Sequence, residues 1–125
     1  MIDHVTIYVS DLNKSRAFYE NAFAPFSYQI IFGDENRFWA FDIGNGSLFE
    51  IAQYKNNDKL TSCHIAFRAK NQEEVQQFYK AAILAGGKCN GAPGLRPKYT
   101  ETYYAAFVYD PDGHNIEAVF DSKTV

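Results

Sequence analysis

The sequence lacks the features that mark nucleic-acid-binding, membrane and disulfide-rich proteins. Its formal net charge is −3 and its 12 basic residues form no run, so attraction to a phosphate backbone is not expected. The apolar runs are too short to cross a bilayer, and the start MIDHVTIYVSD lacks the basic region of a signal peptide. With only two cysteines, Cys63 and Cys89, we expect small buried thiols in a reducing compartment. The sequence therefore predicts a cytoplasmic protein with no nucleic-acid or membrane partner.

Aromatic residues are abundant instead. Eleven Phe, nine Tyr and one Trp bring the aromatic content to 17% of 125 residues. So many large flat side chains favour strands around a walled cavity over a helical bundle. A chain of this length supports one core, so we expect residues 1–125 to form a single domain.

The chain contains an internal repeat. Residues 3–23 (DHVTIYVSDLNKSRAFYENAF) align without a gap on residues 63–83 (CHIAFRAKNQEEVQQFYKAAI), which places His4 on His64. Each copy begins with the period-two alternation of a strand and continues with the period of an amphipathic helix. Three strand patterns follow each helix, and the last of them align Glu50 with Glu117. The sequence thus predicts an α+β protein of two βαβββ modules, about 1–57 and about 58–125, paired in one curved sheet.

The repeat also predicts that two histidines and two glutamates converge, because equivalent positions lie at equal distances from the axis that relates the modules. An unpaired buried carboxylate loses several kcal/mol of solvation, and two would repel each other. A divalent cation resolves both costs, since it balances the glutamates and accepts lone pairs from neutral imidazoles. Ni, Co, Zn, Mn and Fe(II) are all compatible with such a set. We therefore predict one divalent metal ion bound by His4, Glu50, His64 and Glu117.

Four segments, DHVTIYVSDLNKSRAFY, LFEIA, CHIAF and DPDGHNIEAVF, resemble the vicinal-oxygen-chelate superfamily. This superfamily includes glyoxalase I, extradiol dioxygenases and fosfomycin- and bleomycin-resistance proteins. The resemblance spans about residues 2–121 and implies a half-barrel, glyoxalase-like fold. It implies a metal-dependent lyase or isomerase whose metal chelates two neighbouring oxygens of a small substrate, with Glu50 and Glu117 as catalytic carboxylates. It also implies a homodimer, with the modules paired either within one chain or across two.

Other residues are candidates for substrate binding. The Gly- and Pro-rich segment 91–102 is expected to be a loop at the rim of the cavity. Arg68 follows His64 by four residues on the same strand face, and aromatic side chains suit the wall of a cavity as well as they suit a core. The candidate set is Tyr8, Trp39, Arg68, Arg96, Tyr99 and Tyr104. His114, in the turn DPDGH, is expected to be exposed and to have no chemical role.

Two other functions are compatible with the sequence. An Fe(II) extradiol-type dioxygenase would use only three ligands, His4, His64 and Glu117. A binding protein that sequesters a drug would use the same cavity without chemistry, although drug-binding members of the superfamily generally lack the four ligands that this chain retains. Lyase or isomerase chemistry is the function that we predict, and both alternatives stay open.

Overall fold

The computed structural model describes residues 1–123, which form two βαβββ modules. Module 1 consists of β1 (His4–Val9), α1 (Leu12–Ala22), a 3₁₀ turn (Ala24–Phe26), β2 (Gln29–Asp34), β3 (Phe38–Asp42) and β4 (Leu48–Gln53). Module 2 consists of β5 (His64–Arg68), α2 (Gln72–Leu84), β6 (Lys88–Leu95), β7 (Tyr103–Tyr109) and β8 (Asn115–Asp121). The α+β class and the two modules predicted from the repeat are confirmed.

Strand β6 extends further than the sequence suggests. It continues to Leu95, through the first part of the segment 91–102 that we expected to be a loop. Two register shifts against β7, on either side of Gly91, let the strand bend and still pair. Gly91 has a φ of 154°, in the region that disfavours side chains, which is why glycine stands at this bend.

Both helices begin at a side-chain cap and bury one face. Asp11 accepts a hydrogen bond from the Lys14 backbone N–H (3.1 Å), and Asn71 accepts one from that of Glu74 (2.8 Å). The buried helical residues recur at spacings of three and four; they are Leu12, Ser15, Phe18, Tyr19 and Ala22 in α1 and Val75, Phe78 and Ala82 in α2. Neither helix in the described part of the chain is long and apolar enough to cross a membrane.

Each module forms its own four-stranded mixed sheet. The strand orders are β1-β4-β3-β2 and β5-β8-β7-β6, with the first and last strands of each module parallel. The curved sheet expected for the whole domain is thus divided into two halves within one chain. The register sets Thr6 beside Glu50 and Ala66 beside Glu117, so each glutamate shares a sheet face with the histidine of its own module.

One aromatic core joins the helix-covered faces of the two sheets. Phe67 of β5 packs edge-on against Phe49 of β4, with ring centroids 5.3 Å apart, and against Phe23, which follows α1, at 5.0 Å. Phe26 stacks on Phe78 of α2 at 5.6 Å. Because both sheets direct these faces into a common core, their other faces point outward, away from that core. The histidine–glutamate pairs lie on those outward faces.

A buried histidine ties the two modules together. The expectation that His114 is exposed was wrong, because its side chain is 1% exposed. Its Nδ1 accepts a hydrogen bond from the Cys63 backbone N–H (3.0 Å), and its Nε2 donates one to the Tyr8 carbonyl (2.8 Å). The burial comes from the end of β1 packing over the turn before β8, a contact between residues far apart in the chain that no local pattern reveals.

The two cysteines have different environments. Cys63 is partly buried beside His114, whereas Cys89 is exposed, so the expectation of a buried thiol was wrong for Cys89. Both are free thiols. Cys89 lies on β6, the edge strand of its sheet, and its side chain is open to solvent there.

Candidate metal centre

Module 2 presents a closely bonded histidine–glutamate pair. His64 Nε2 lies 2.8 Å from Glu117 Oε1, and the Tyr103 hydroxyl donates to Glu117 Oε2. The Glu117 side chain is 3% exposed and that of His64 is 53% exposed. A carboxylate buried to this extent requires such partners. Burial and the bond to Glu117 raise the pKa of Tyr103, so its hydroxyl remains a donor to the carboxylate.

Module 1 presents the equivalent pair in a more open setting. The Thr6 hydroxyl donates to Glu50 Oε1 (3.0 Å), and His4 Nδ1 lies 2.7 Å from Asp3 Oδ1. The hydrogen bond to Asp3 and the charge of Glu50 raise the pKa of His4. Because Nδ1 is engaged by Asp3, Nε2 is the nitrogen of His4 that is left for another ligand.

The structure places each predicted histidine ligand on the same face as the glutamate of its own module, but it does not bring all four residues to one place. Glu50 lines an open depression of about 680 Å³ on the outward face of module 1, together with Thr6 and Tyr8. His64 lines a separate depression of about 410 Å³ on the outward face of module 2. Within residues 1–123 of one chain, no group of three His, Cys, Asp or Glu side chains is placed to hold a metal ion. We call these two places half-site 1 (His4 and Glu50) and half-site 2 (His64 and Glu117).

The predicted substrate-binding residues are divided between these half-sites and other places. Tyr8 lines the depression of half-site 1, and Arg96 and Tyr99 line that of half-site 2. Arg68 lines a different depression, beside Tyr28 and Asp42. Tyr8, Arg96 and Tyr99 are therefore the candidates that the geometry keeps beside the predicted ligands.

Two aromatic candidates lie on the helix-covered faces. Trp39 pairs with the buried Ile51, and the Arg16 guanidinium of α1 lies 4.0 Å from the Trp39 ring centroid. Tyr104 packs against the core, and its hydroxyl accepts a hydrogen bond from Gln76 of α2 (2.8 Å). The structure therefore places Trp39 and Tyr104 away from both half-sites.

Tyr103 and Phe107 are site residues that the sequence interpretation missed. The antiparallel register pairs Phe107 with Glu117 and Tyr103 with Asp121, which puts both on the face of half-site 2. The His64 and Phe107 rings lie 6.2 Å apart, centroid to centroid. The β7–β8 register can be counted from the turn that joins the two strands. That count would have identified Tyr103 instead of Tyr104, since the side chains of adjacent strand residues point to opposite faces.

Comparison with known protein families decides the relationship. Residues 1–118 match the family model described as the Glyoxalase/Bleomycin resistance protein/Dioxygenase superfamily. The chain belongs to this superfamily. None of the functionally curated proteins compared with the chain matches it.

Solved structures of the glyoxalase superfamily share the fold over nearly the whole chain. A glyoxalase/bleomycin resistance protein from Albidiferax ferrireducens T118 has a TM-score of 0.84 and 27% identity, covering 96% of this chain and 98% of that chain. FosX, the genomically encoded fosfomycin resistance protein of Listeria monocytogenes, has a TM-score of 0.71 and 26% identity, covering 100% and 91%. That structure is of a mutant complexed with Mn(II) and 1S,2S-dihydroxypropylphosphonic acid. Lactoylglutathione lyase from Agrobacterium tumefaciens shares the fold with a TM-score of 0.73 at 17% identity, covering 96% and 92%.

Members of the superfamily typically use a divalent metal, and the donor chemistry of this chain fits one. Two imidazoles and two carboxylates form a set that divalent transition metals accept. Both glutamates have a hydroxyl donor, Thr6 or Tyr103, and His4 has Asp3, which are the outer contacts that orient metal ligands. One chain offers these donors as two separate pairs, so the fit to a four-ligand metal requires half-site 1 and half-site 2 to meet.

Proposed function

We propose that two copies of this chain form a metal-dependent enzyme of glyoxalase type, a lyase or isomerase acting on a small substrate with two adjacent oxygens. In this proposal half-site 1 of one copy faces half-site 2 of the other, and each such pair holds one divalent metal. The observation that carries the proposal is the placement of two equivalent imidazole–carboxylate pairs on the sheet faces that point away from the shared core.

The surroundings of both half-sites support their burial against a second copy. Tyr8, beside Glu50, is 53% exposed, and Tyr99, beside His64, is 56% exposed. Large aromatic side chains exposed beside a polar pair are typical of surfaces that become covered on association. A two-fold dimer would also cover both half-sites of both copies at once, because its interface contains the same surfaces twice.

The two glutamates differ in a way that assigns their roles. Both oxygens of Glu117 are engaged, by His64 and by Tyr103, and the side chain is buried. Glu50 accepts a hydrogen bond from the Thr6 hydroxyl on Oε1, and its side chain lines the open depression of half-site 1. We therefore assign Glu117 as a fixed ligand and Glu50 as the ligand that also acts as the general base.

The chemistry follows from that assignment. The metal, when bound, supplies chelation of the two substrate oxygens and stabilises the negative charge that develops on them. Glu50 Oε2 takes a proton from the substrate carbon next to one of these oxygens and returns it to the neighbouring position, so that the proton count balances. Tyr103 and Thr6 keep the two carboxylates in place during the transfer. Tyr8 covers the edge of the depression and limits the access of water.

Metal analysis of purified protein tests the proposal. We expect Ni, Co, Zn or Mn at about one ion per chain, in a dimer, because each dimer has two combined sites. Glu117→Gln is expected to lose the metal while the fold persists, and Glu73→Gln, which makes the same change at an exposed position of α2, is expected to retain it. Circular dichroism checks the fold of both variants.

Three results would contradict the proposal. Unchanged metal content in Glu117→Gln would remove the site. Oxygen-sensitive iron that depends on His4, His64 and Glu117 but not on Glu50 would favour a dioxygenase. No metal under any loading would favour a drug-binding protein.

A further inference from the structure

At half-site 2, Arg96 contacts backbone carbonyl groups of β6 and the aromatic ring of Phe107. Its guanidinium carbon lies 5.5 Å from the centroid of Phe107, the residue that pairs with Glu117. The Phe107 ring also lies 6.2 Å from the His64 ring, centroid to centroid. One phenyl ring therefore lies close to both the guanidinium and a predicted metal ligand.

Two glycines make room for this arginine. A Cβ added at Gly91 would lie 3.2 Å from Arg96 Nη2, and one added at Gly94 would lie 3.2 Å from Nη1. Both distances are tighter than ordinary van der Waals contact, so a side chain at either position would press on the guanidinium. The guanidinium thus lies directly against the backbone of β6 at both glycines.

The guanidinium retains donors that no acceptor in the described part of the chain uses. Arg96 donates from Nη2 to the Ala92 carbonyl (2.8 Å) and, through a longer contact, from Nη1 to the Leu95 carbonyl (3.4 Å). A guanidinium has five N–H donors, so three are left over. Among residues 1–123, no carboxylate forms an ion pair with Arg96. The arginine is fixed in place, charged and still able to bind an acceptor.

The rest of this depression also favours negative charge. Lys98 and Tyr99 line it beside Arg96 and His64, and its other lining residues are uncharged. Glu117 is not among the residues that line the depression, and its two oxygens are engaged by His64 and Tyr103. An anion at this place would meet two cationic side chains and a phenol, and oxyanions are the acceptors that match the planar fork of a guanidinium.

We infer that Arg96 is a substrate-binding and specificity-determining residue, and that the substrate carries an oxyanion group (a carboxylate, phosphonate or phosphate) bound by its guanidinium beside His64. The inference rests on the proposed function only for the statement that the bound molecule is the substrate. The oxyanion site itself belongs to half-site 2 and needs no metal.

Titration of methylphosphonate, and separately of acetate, into the full chain tests this inference. The protein is first treated with a chelator, so that neither probe binds a metal directly. Backbone amide shifts measured by NMR are expected to move at 91–107, and Arg96→Gln is expected to weaken the binding of at least one probe by about 10-fold or more. Arg16→Gln, which removes the same charge from α1, is expected to bind as the wild type does. Arg96→Lys is expected to lie between, since it keeps the charge and loses the fork.

Equal affinity of wild type and Arg96→Gln for both probes, or shifts located elsewhere, would overturn the inference. An equal loss in Arg16→Gln would overturn it too, because the effect would then follow net charge. Metal content separates this test from that of the proposed function. Arg96→Gln is expected to bind metal as the wild type does, and a wild type that binds methylphosphonate through Arg96 but no metal would refute the proposed function alone.

Discussion

Removal of the His114 side chain is expected to destabilise the protein strongly, because this residue connects the two modules. The imidazole is 1% exposed and bonds the Cys63 N–H on one side and the Tyr8 carbonyl on the other. In His114→Ala both backbone groups lose their partner. Each unsatisfied group costs about 1–3 kcal/mol, which gives about 2–6 kcal/mol in total. A domain of this kind has a free energy of unfolding of about 5–15 kcal/mol.

Urea unfolding followed by circular dichroism measures this loss. The matched control is His4→Ala, which removes the same side chain from a position where it is 53% exposed. All proteins are first treated with a chelator, so that the loss of a predicted metal ligand does not contribute to the comparison. We expect the control to stay within about 0.5 kcal/mol of the wild type. If His114→Ala also remained within that range, the idea that this histidine holds the modules together would have to be abandoned.

Three further outcomes are expected. Tyr103→Phe should weaken metal binding by about 10- to 100-fold, because it removes the hydroxyl that donates to the buried Glu117. Tyr104→Phe should leave metal binding unchanged, because the Tyr104 hydroxyl contacts Gln76 instead. Equal effects of the two changes in a metal titration would contradict the placement of Tyr103 and Tyr104 on opposite sheet faces. Iodoacetamide should label Cys89 before Cys63 in a mass-spectrometric time course. A hydrogen bond from a tyrosine lowers the pKa of Cys89 and burial raises the pKa of Cys63, so more of Cys89 is present as the reactive thiolate. The reverse order of labelling would disagree with these environments. Gly87→Ala should lower the free energy of unfolding by about 1–3 kcal/mol, because its Cβ would lie 2.5 Å from a core valine methyl; an unchanged urea midpoint would argue against the tight packing at this glycine.

The repeat was sufficient to predict the modules and to place each histidine on the same sheet face as the glutamate of its module. His4 and His64 begin equivalent strands, and strict alternation along β1 and β5 directs both to the side opposite the core. Glu50 and Glu117 share those faces because the first and last strands of each module are parallel neighbours. Local periodicity and equivalence within the repeat contain all of this information.

Features that depend on register or on distant packing were not predictable in the same way. Trp39 and Tyr104 are each one position along their strand from a residue whose side chain faces a half-site. Only the register of β3 and β7 with their neighbouring strands determines which of two adjacent side chains does so. The burial of His114 arises where β1 meets the turn before β8. The outward direction of the half-sites depends on contacts such as that between Phe49 and Phe67, which join the two sheets through their helix-covered faces.

Subunit mixing tests most directly whether the metal site is shared between two copies. His4→Ala and His64→Ala each destroy both sites of their own dimers in the proposed arrangement. In a mixed dimer, one site loses both histidines, but the other combines the intact His4 of one copy with the intact His64 of the other.

Metal content after unfolding and refolding an equimolar mixture is the measurement. Half of the randomly formed dimers are mixed and each regains one of two sites, so we expect about a quarter of the wild-type metal content, with almost none in either variant alone. A mixture that binds no more metal than the separate variants, while the wild type binds fully, would mean that the pairs do not meet across two copies.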